Sequence, residues 1–193
     1  IELLGKSLEE LQSIFKTHNI QKFRAKQLID YIYHRYIFDF EEMTQFPKEL
    51  RQWLSDNCVI SLPTLITESV SPDGKTRKIL VEMTDQSRVE AVLMEQHYGY
   101  SVCVSSQVGC AMGCVFCAST QGGLYRDLTV SEIIGQVVIF GALTKEQIHS
   151  VVVMGAGEPL QNYDNVLQSL QLLHDPMICN ISYRKMTIST CGW

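Results

Sequence analysis

The sequence predicts an α/β protein built from three stretches with different hydrophobic periods. Residues 1–60 place apolar side chains at helical spacing, residues 61–99 hold short β runs between turn clusters, and residues 100–193 alternate strand with helix. The last pattern builds βαβ units. The expected architecture is therefore an N-terminal helical domain and a small β extension leading into a parallel sheet or barrel.

The first helix opens at Ser7-Leu8-Glu9-Glu10, a capping box in which hydroxyl and carboxylate satisfy each other's backbone amides. Leu8, Leu11, Ile14 and Phe15 then recur on one face. A second helix is expected from Phe23 to Tyr36, with Phe23, Ala25, Leu28, Ile29, Ile32 and Tyr33 inward. A third starts at Pro47, a good first-turn residue, and turns Leu50, Trp53 and Leu54 inward. In the extension, Ile79–Val81 and Val89–Met94 flank the turn cluster Thr84–Ser87, and Ser71-Pro72-Asp73-Gly74 is a second turn. An antiparallel hairpin is expected there. The core should hold a strand at 101–106, a long loop at 107–128, and a helix opened by the capping box Thr129-Val130-Ser131-Glu132. A buried strand at Ser150–Met154, a helix at Tyr163–His174 and a strand at Lys185–Ser189 complete it.

Apolar residues form 46% and charged residues 19% of the 193, a balance that excludes a wholly disordered chain. No apolar run approaches the ~18 residues of a membrane span, and no basic-then-apolar leader opens the chain at Ile1. A cytoplasmic protein with no membrane association is expected. Lys and Arg number 16 against 21 Asp and Glu, a net charge of −5. Residues 1–60 carry 8 against 9, so the electrostatic footprint of a nucleic-acid binder is absent.

Seven cysteines (58, 103, 110, 114, 117, 179 and 191) are an odd count, and four fall within 103–117. That is a poor disulfide framework and reads as reduced, metal-binding or redox cysteine. Cys110, Cys114 and Cys117 form C-x3-C-x2-C on a glycine-containing loop, a spacing that lets one loop wrap an inorganic centre. Three thiolates would leave one iron of a cubane cluster open to a small molecule. Structural zinc closes its tetrahedron with four ligands, so that reading must recruit Cys103. Cys58, Cys179 and Cys191 lack partner spacing and are expected in the core.

Gly155-x-Gly157 follows an apolar strand, but the third glycine of a dinucleotide fingerprint is replaced by Leu160, so that reading fails. The cysteine loop, Gly157-Glu158 and Ser189 each follow or end a successive strand. Parallel sheets and barrels place ligands at those C-terminal strand ends. Glycine there permits close backbone approach, and Glu158 can accept hydrogen bonds from a cationic amine.

The string Cys103-Val-Ser-Ser-Gln-Val-Gly-Cys110-x-Met-Gly-Cys114-x-Phe-Cys117, with Gly155–Leu160, closely resembles the RlmN/Cfr family of radical S-adenosylmethionine (SAM) RNA methyltransferases. Phe23–Gln27, Asp164–Val166 and Thr187–Thr190 extend the resemblance over essentially the whole chain. It implies a radical-SAM partial (βα) barrel, here truncated, and a [4Fe–4S] cluster on Cys110, Cys114 and Cys117 whose open iron binds SAM. Gly157, Glu158 and Ser189 would contact SAM, Cys103 would resolve a covalent RNA adduct through a disulfide, and Glu90 matches the family's proton acceptor. The implied partners are 23S rRNA, tRNA and an external electron donor of the flavodoxin or ferredoxin type, with the protein a monomer. Methylation is expected at adenine C2, the RlmN-type outcome, on the wording of Asn162–Asn165 and Arg184–Thr190. C2 is an electron-poor carbon that cannot attack a methyl cation equivalent, and cofactor radical chemistry avoids that obstacle.

C8 methylation of the Cfr type is one alternative. A zinc-stabilised RNA-binding module using Cys103, Cys110, Cys114 and Cys117 is another. Lys22, Arg24, Lys26, His34 and Arg35 on the second helix are the phosphate-contacting candidates. The family's methyl-carrying cysteine lies beyond residue 193 and three core strands fall short of six, so the chain is expected to be an N-terminal portion.

Overall fold

A computed structural model describes residues 1–192. Helices α1 (Leu8–Thr17), α2 (Phe23–Ile29, continued by a π-helical turn over Asp30–His34) and α3 (Lys48–Asn57) come first. Strands β1 (Thr64–Val70), β2 (Thr76–Glu82), β3 (Arg88–Gln96) and β4 (Gly99–Val104) follow. A short hairpin, β5 (Gln107–Gly109) and β6 (Leu124–Asp127), leads to α4 (Val130–Thr144), β7 (Ile148–Val153), α5 (Tyr163–His174) and β8 (Met186–Ile188).

One sheet of six strands runs in the order β1-β2-β3-β4-β7-β8. Its first four strands form an antiparallel meander, and β4, β7 and β8 are parallel. Strand β4 is the seam between the two modes, and α4 and α5 are the crossovers of a radical-SAM-like partial barrel. The expected hairpin is β2–β3. Strand β1 adds to it unannounced, because all seven of its residues are exposed and no alternation marks Thr64–Val70.

Each strand sends alternate residues to opposite faces. Ile79, Val81, Val89, Ala91, Leu93, Val102, Val104, Val151 and Val153 are buried in the core shared with α4. Helix α4 is buried continuously from Ile133 to Gly141, as expected of a helix covered on all sides. The sheet covers one side, and the N-terminal helical region covers another, with the Tyr36 ring lying on Gly141 and Pro63 on Gly135.

Both expected capping boxes are present. Ser7 Oγ accepts from Glu10 N while Glu10 Oε2 accepts from Ser7 N, and Thr129 and Glu132 repeat the arrangement at α4. Three expectations change. The stretch 107–128 is no simple loop, since β5 and β6 pair within it. Phe23 is half exposed rather than inward, its ring lying under the Arg24 guanidinium at 4.6 Å. Cys191 is exposed rather than in the core. Among the described residues no helix is long and apolar enough to cross a membrane.

Gly135 sets a measurable balance. Alanine there would gain about 1 kcal/mol of helix propensity. Its Cβ would stand 2.6 Å from Pro63 Cδ, a rigid ring atom, and overpacking of that kind costs about 1–3 kcal/mol. Gly135→Ala should therefore lower stability by about 1 kcal/mol in urea unfolding, against the sign of propensity.

Candidate active site

The site begins where β4 ends. Beyond Val104 the strand ladder gives way to a buried polar assembly of Ser105, Ser106 and Gln107, none more than 1% exposed. Gln136, on buried α4, clips both backbone groups of Ser105, accepting from its N–H at 2.8 Å and donating to its carbonyl at 3.0 Å. The Ser105 hydroxyl donates to the Glu90 carbonyl and accepts from Ala156 N–H. Gln107 accepts from Glu158 N–H at 2.8 Å and donates to Asp127 Oδ1 at 2.7 Å. Asn162 Nδ2 donates to the Ser106 and Leu128 carbonyls, both at 2.7 Å. The ends of β3, β4 and β7 and the root of the β5–β6 hairpin are thereby joined. Buried polar groups need such partners, because each one left unpaired costs about 1–3 kcal/mol.

The hairpin carries the cysteine loop. Cys110 N–H donates to the Gly123 carbonyl at 3.0 Å, closing the loop at its base, and Cys117 N–H donates to the Cys114 carbonyl at 3.0 Å. All three thiols are free; Cys110 is buried, and Cys114 and Cys117 are half-buried. Val115 and Phe116 at the tip are almost wholly exposed. Among the described residues no three His, Cys, Asp or Glu side chains are gathered at metal-holding geometry, so the thiols stand on one loop without being assembled. The donor set still fits a three-thiolate cluster, for the loop offers three thiols and no carboxylate or imidazole. It fits a closed zinc tetrahedron less well. The fourth candidate, Cys103, lies off that loop, on β4 between Val92 and Val152 and one residue before the strand ends.

On the face turned away from α4, an open cavity of about 580 Å³ is lined by Glu90, Val92, Cys103, Cys117, Met154 and Gly155, among others. The sheet register explains the meeting of Glu90 with Cys103, since Cys103 pairs with Val92, two residues along β3. Glu90 is salt-bridged to Lys78 at 2.9 Å. Burial pushes the Cys103 thiol up, against the opposing Met154 hydrogen bond.

Glu158 is 3% exposed. Burial alone would raise its pKa, yet hydrogen bonds from the Thr190 hydroxyl (2.6 Å) and the backbone N–H groups of Cys191 and Leu160 (both 2.9 Å) hold it at about 2. The ionised carboxylate gathers the β7–α5 turn to the segment after β8, where Ser189 N–H donates to the Val153 carbonyl. Gly157 has a structural demand of its own. At φ +111°, a Cβ would stand 2.6 Å from Ser106 Oγ, so its close approach is to the end of β4. The Ser106 hydroxyl is itself buried without a partner among the described residues.

Of the basic residues on the second helix, three are engaged within the chain. Arg24 donates to Gln27 Oε1 and the Gln45 carbonyl, Arg35 pairs with Asp30, and His34 meets the Met177 carbonyl. Lys22 and Lys26 are exposed. Sequence reading missed Ser105, Gln107, Gln136 and Asn162. Ser105, Gln107 and Asn162 stood only inside stretches that carry the resemblance, and Gln136 is a polar residue within an otherwise apolar run of α4.

Residues 1–60 match the family model for the ribosomal RNA large subunit methyltransferase N-terminal domain, and residues 104–193 match the radical SAM superfamily. A probable dual-specificity RNA methyltransferase RlmN of Symbiobacterium thermophilum is 47% identical over 192 residues, 98% of this chain and 52% of the relative. Its counterpart in Clostridium perfringens is 46% identical over 190 residues, 98% and 55%. The crystal structure of a radical SAM methyltransferase from Sphaerobacter thermophilus superposes with a TM-score of 0.93 at 35% identity, covering 100% of this chain and 57% of that one. The chain spans about half the length of the curated relatives it matches.

The Glu158 carboxylate has a pH signature. Its depressed pKa means it stabilises the fold above the ordinary carboxylate value of 4.5, and that contribution is lost as pH falls toward about 2. In metal-free protein, Glu158→Gln should lower the melting temperature at pH 6. The gap to the unsubstituted protein should close as pH drops through that window; a gap independent of pH would contradict it.

Proposed function

Since the chain belongs to the RlmN-type family of radical-SAM methyltransferases, we propose that the whole protein methylates C2 of an adenine in 23S rRNA and of an adenine beside the tRNA anticodon. The observation that carries this is the placement of three free cysteines on a hairpin-rooted loop at the C-terminal ends of parallel strands, beside a cavity lined by Glu90 and Cys103. Membership of the radical SAM superfamily implies a [4Fe–4S] cluster and SAM, which together supply one-electron chemistry to a carbon that polar methylation cannot reach.

In this reading Cys110, Cys114 and Cys117 hold the cluster. Gly157, Glu158 and Ser189 hold SAM at the ends of β7 and β8, with the Glu158 carboxylate ionised at any working pH. Glu90 accepts a proton on the cavity side of β3, where Lys78 keeps it paired at rest. Cys103, half-buried and with its thiol pushed toward the protonated form, attacks as the thiolate the sulfur of a protein–RNA thioether adduct. The S–S bond forms as the S–C bond breaks, and the electron pair left on the methylene carbon takes up a proton to give the methylated base. The family resemblance places the adduct-forming cysteine outside residues 1–193. Of the basic residues on the second helix, Lys22 and Lys26 are the exposed cations left for phosphate contact. Electrons come from an external flavodoxin- or ferredoxin-type donor. The RlmN names of the curated relatives favour C2 over C8.

In anaerobically reconstituted full-length protein, each of Cys110→Ala, Cys114→Ala and Cys117→Ala should abolish binding of about four irons per chain and SAM cleavage with it. Cys103→Ala should keep the iron but leave RNA covalently trapped. Stoichiometric zinc without sulfide, or iron loss in the Cys103 variant, would favour the four-thiolate zinc module instead. The 193-residue chain alone should transfer no methyl group from labelled SAM to unmodified 23S rRNA.

A further inference from the structure

Arg126 lies on β6, directly after the cysteine loop, and all five of its N–H donors have partners. Nε donates to Asp85 Oδ2 at 2.7 Å. Nη1 donates to Glu132 Oε2 and to the Asp127 carbonyl, both at 2.9 Å. Nη2 donates to Glu132 Oε1 at 2.7 Å and to Ser87 Oγ at 2.9 Å. A guanidinium so occupied has no donor left for an RNA phosphate. Its partners come from separate parts of the chain. Asp85 and Ser87 sit in the β2–β3 turn, and Glu132 is the capping-box residue of α4, with 13% of its side chain exposed.

The hairpin needs such an anchor. Strands β5 and β6 share only three residue pairs, Gln107 with Asp127, Val108 with Arg126 and Gly109 with Leu124. A two-stranded ribbon of that size is marginal by itself. Gln107 ties one strand to the Glu158 turn, and Arg126 ties the other to the meander whose β3 carries Glu90. Gln107, with Asn162 on the Ser106 and Leu128 carbonyls, holds only the root of the hairpin, and Arg126 is the side chain that ties β6 to the β2–β3 turn. The bidentate fork on Glu132 with a third arm on Asp85 gives the second tie a direction, which a point charge would not.

We propose that Arg126 is a positioning residue of the cysteine loop, fixing the hairpin that carries Cys110, Cys114 and Cys117 at a set angle to the strand face bearing Glu90 and Cys103. The inference rests on the reading of that loop as the cluster site. The test uses full-length Arg126→Gln, Arg126→Lys and Asp85→Asn. Hydrogen exchange over 107–127 is read in metal-free protein, and iron release to a chelator is read after reconstitution. Arg126→Gln should speed exchange across 107–127 while leaving β2, β3 and β7 protected. It should release iron about tenfold faster or more, the range for residues that orient metal ligands without touching the metal. Arg126→Lys should recover only part of both, and Asp85→Asn should move both less and in the same direction.

Unchanged exchange and iron release in Arg126→Gln would overturn the proposal, as would full recovery in Arg126→Lys. Should Arg126→Gln fail to fold, unchanged exchange and release in Asp85→Asn overturns it equally. If the unsubstituted protein takes up no iron and sulfide, the cluster reading fails, and the exchange measurement still decides whether Arg126 holds the hairpin.

Discussion

At the end of β4 the backbone runs out of strand neighbours while still buried, and its polar groups must be satisfied by side chains and by a loop carbonyl. Gln136 does this for Ser105, Asn162 for the carbonyl of Ser106, and the Ala156 carbonyl for the amides of Ser106 and Gln107. Every functional segment hangs from this point: the cysteine hairpin leaves it, the Gly157-Glu158 turn is bonded to it, and the Glu90 carbonyl is held by it. Buried amides of this kind contribute specificity of geometry more than net stability. The neighbouring apolar face, shared by the sheet and α4, supplies the burial that stabilises the whole.

What could be read from the sequence was what is local. Capping boxes at Ser7 and Thr129 act within one helical turn, and three cysteines within eight residues declare their chemistry wherever the loop points. Alternation of strand and helix was enough for the parallel core. Strand β1 escaped because a strand exposed on both faces carries no hydrophobic period. The β5–β6 pairing escaped because three pairs leave no pattern. Phe23 was placed inward by periodicity alone, and the neighbouring guanidinium that covers its ring cannot be inferred from spacing. Of the site, the thiols and Glu158 were legible as chemistry. Gln107, Asn162 and Arg126 were not, since Gln107 reaches partners 20 and 51 residues away, Asn162 partners 34 and 56 away, and Arg126 partners 39 and 41 away.

Net charge argued against an RNA partner, and the structure leaves few unpaired cations to set against that argument. Arg24, Arg35, Arg51, Arg77, Arg88 and Arg126 are bound to partners in the chain, five of them through exposed or half-exposed carboxylate pairs. Such arginines brace loops and turns, and they contribute little to a long-range field because their partners cancel it. Phosphate recognition on this chain would have to rest on a few lysines and Arg184, and affinity on surface shape and stacking as much as on charge.

The base of the cysteine loop is closed by Gly109, at φ +76°, whose missing side chain leaves room for the Gly123 carbonyl to lie against it. Every other coded residue brings a Cβ into that carbonyl. Mutation by single steps thus has no neutral exit from this position, and a lineage that changed it would need to rebuild the loop in the same event. Changes at the tip, around Val115 and Phe116, leave that closure untouched, whereas a change at its base reaches every thiol on the loop at once.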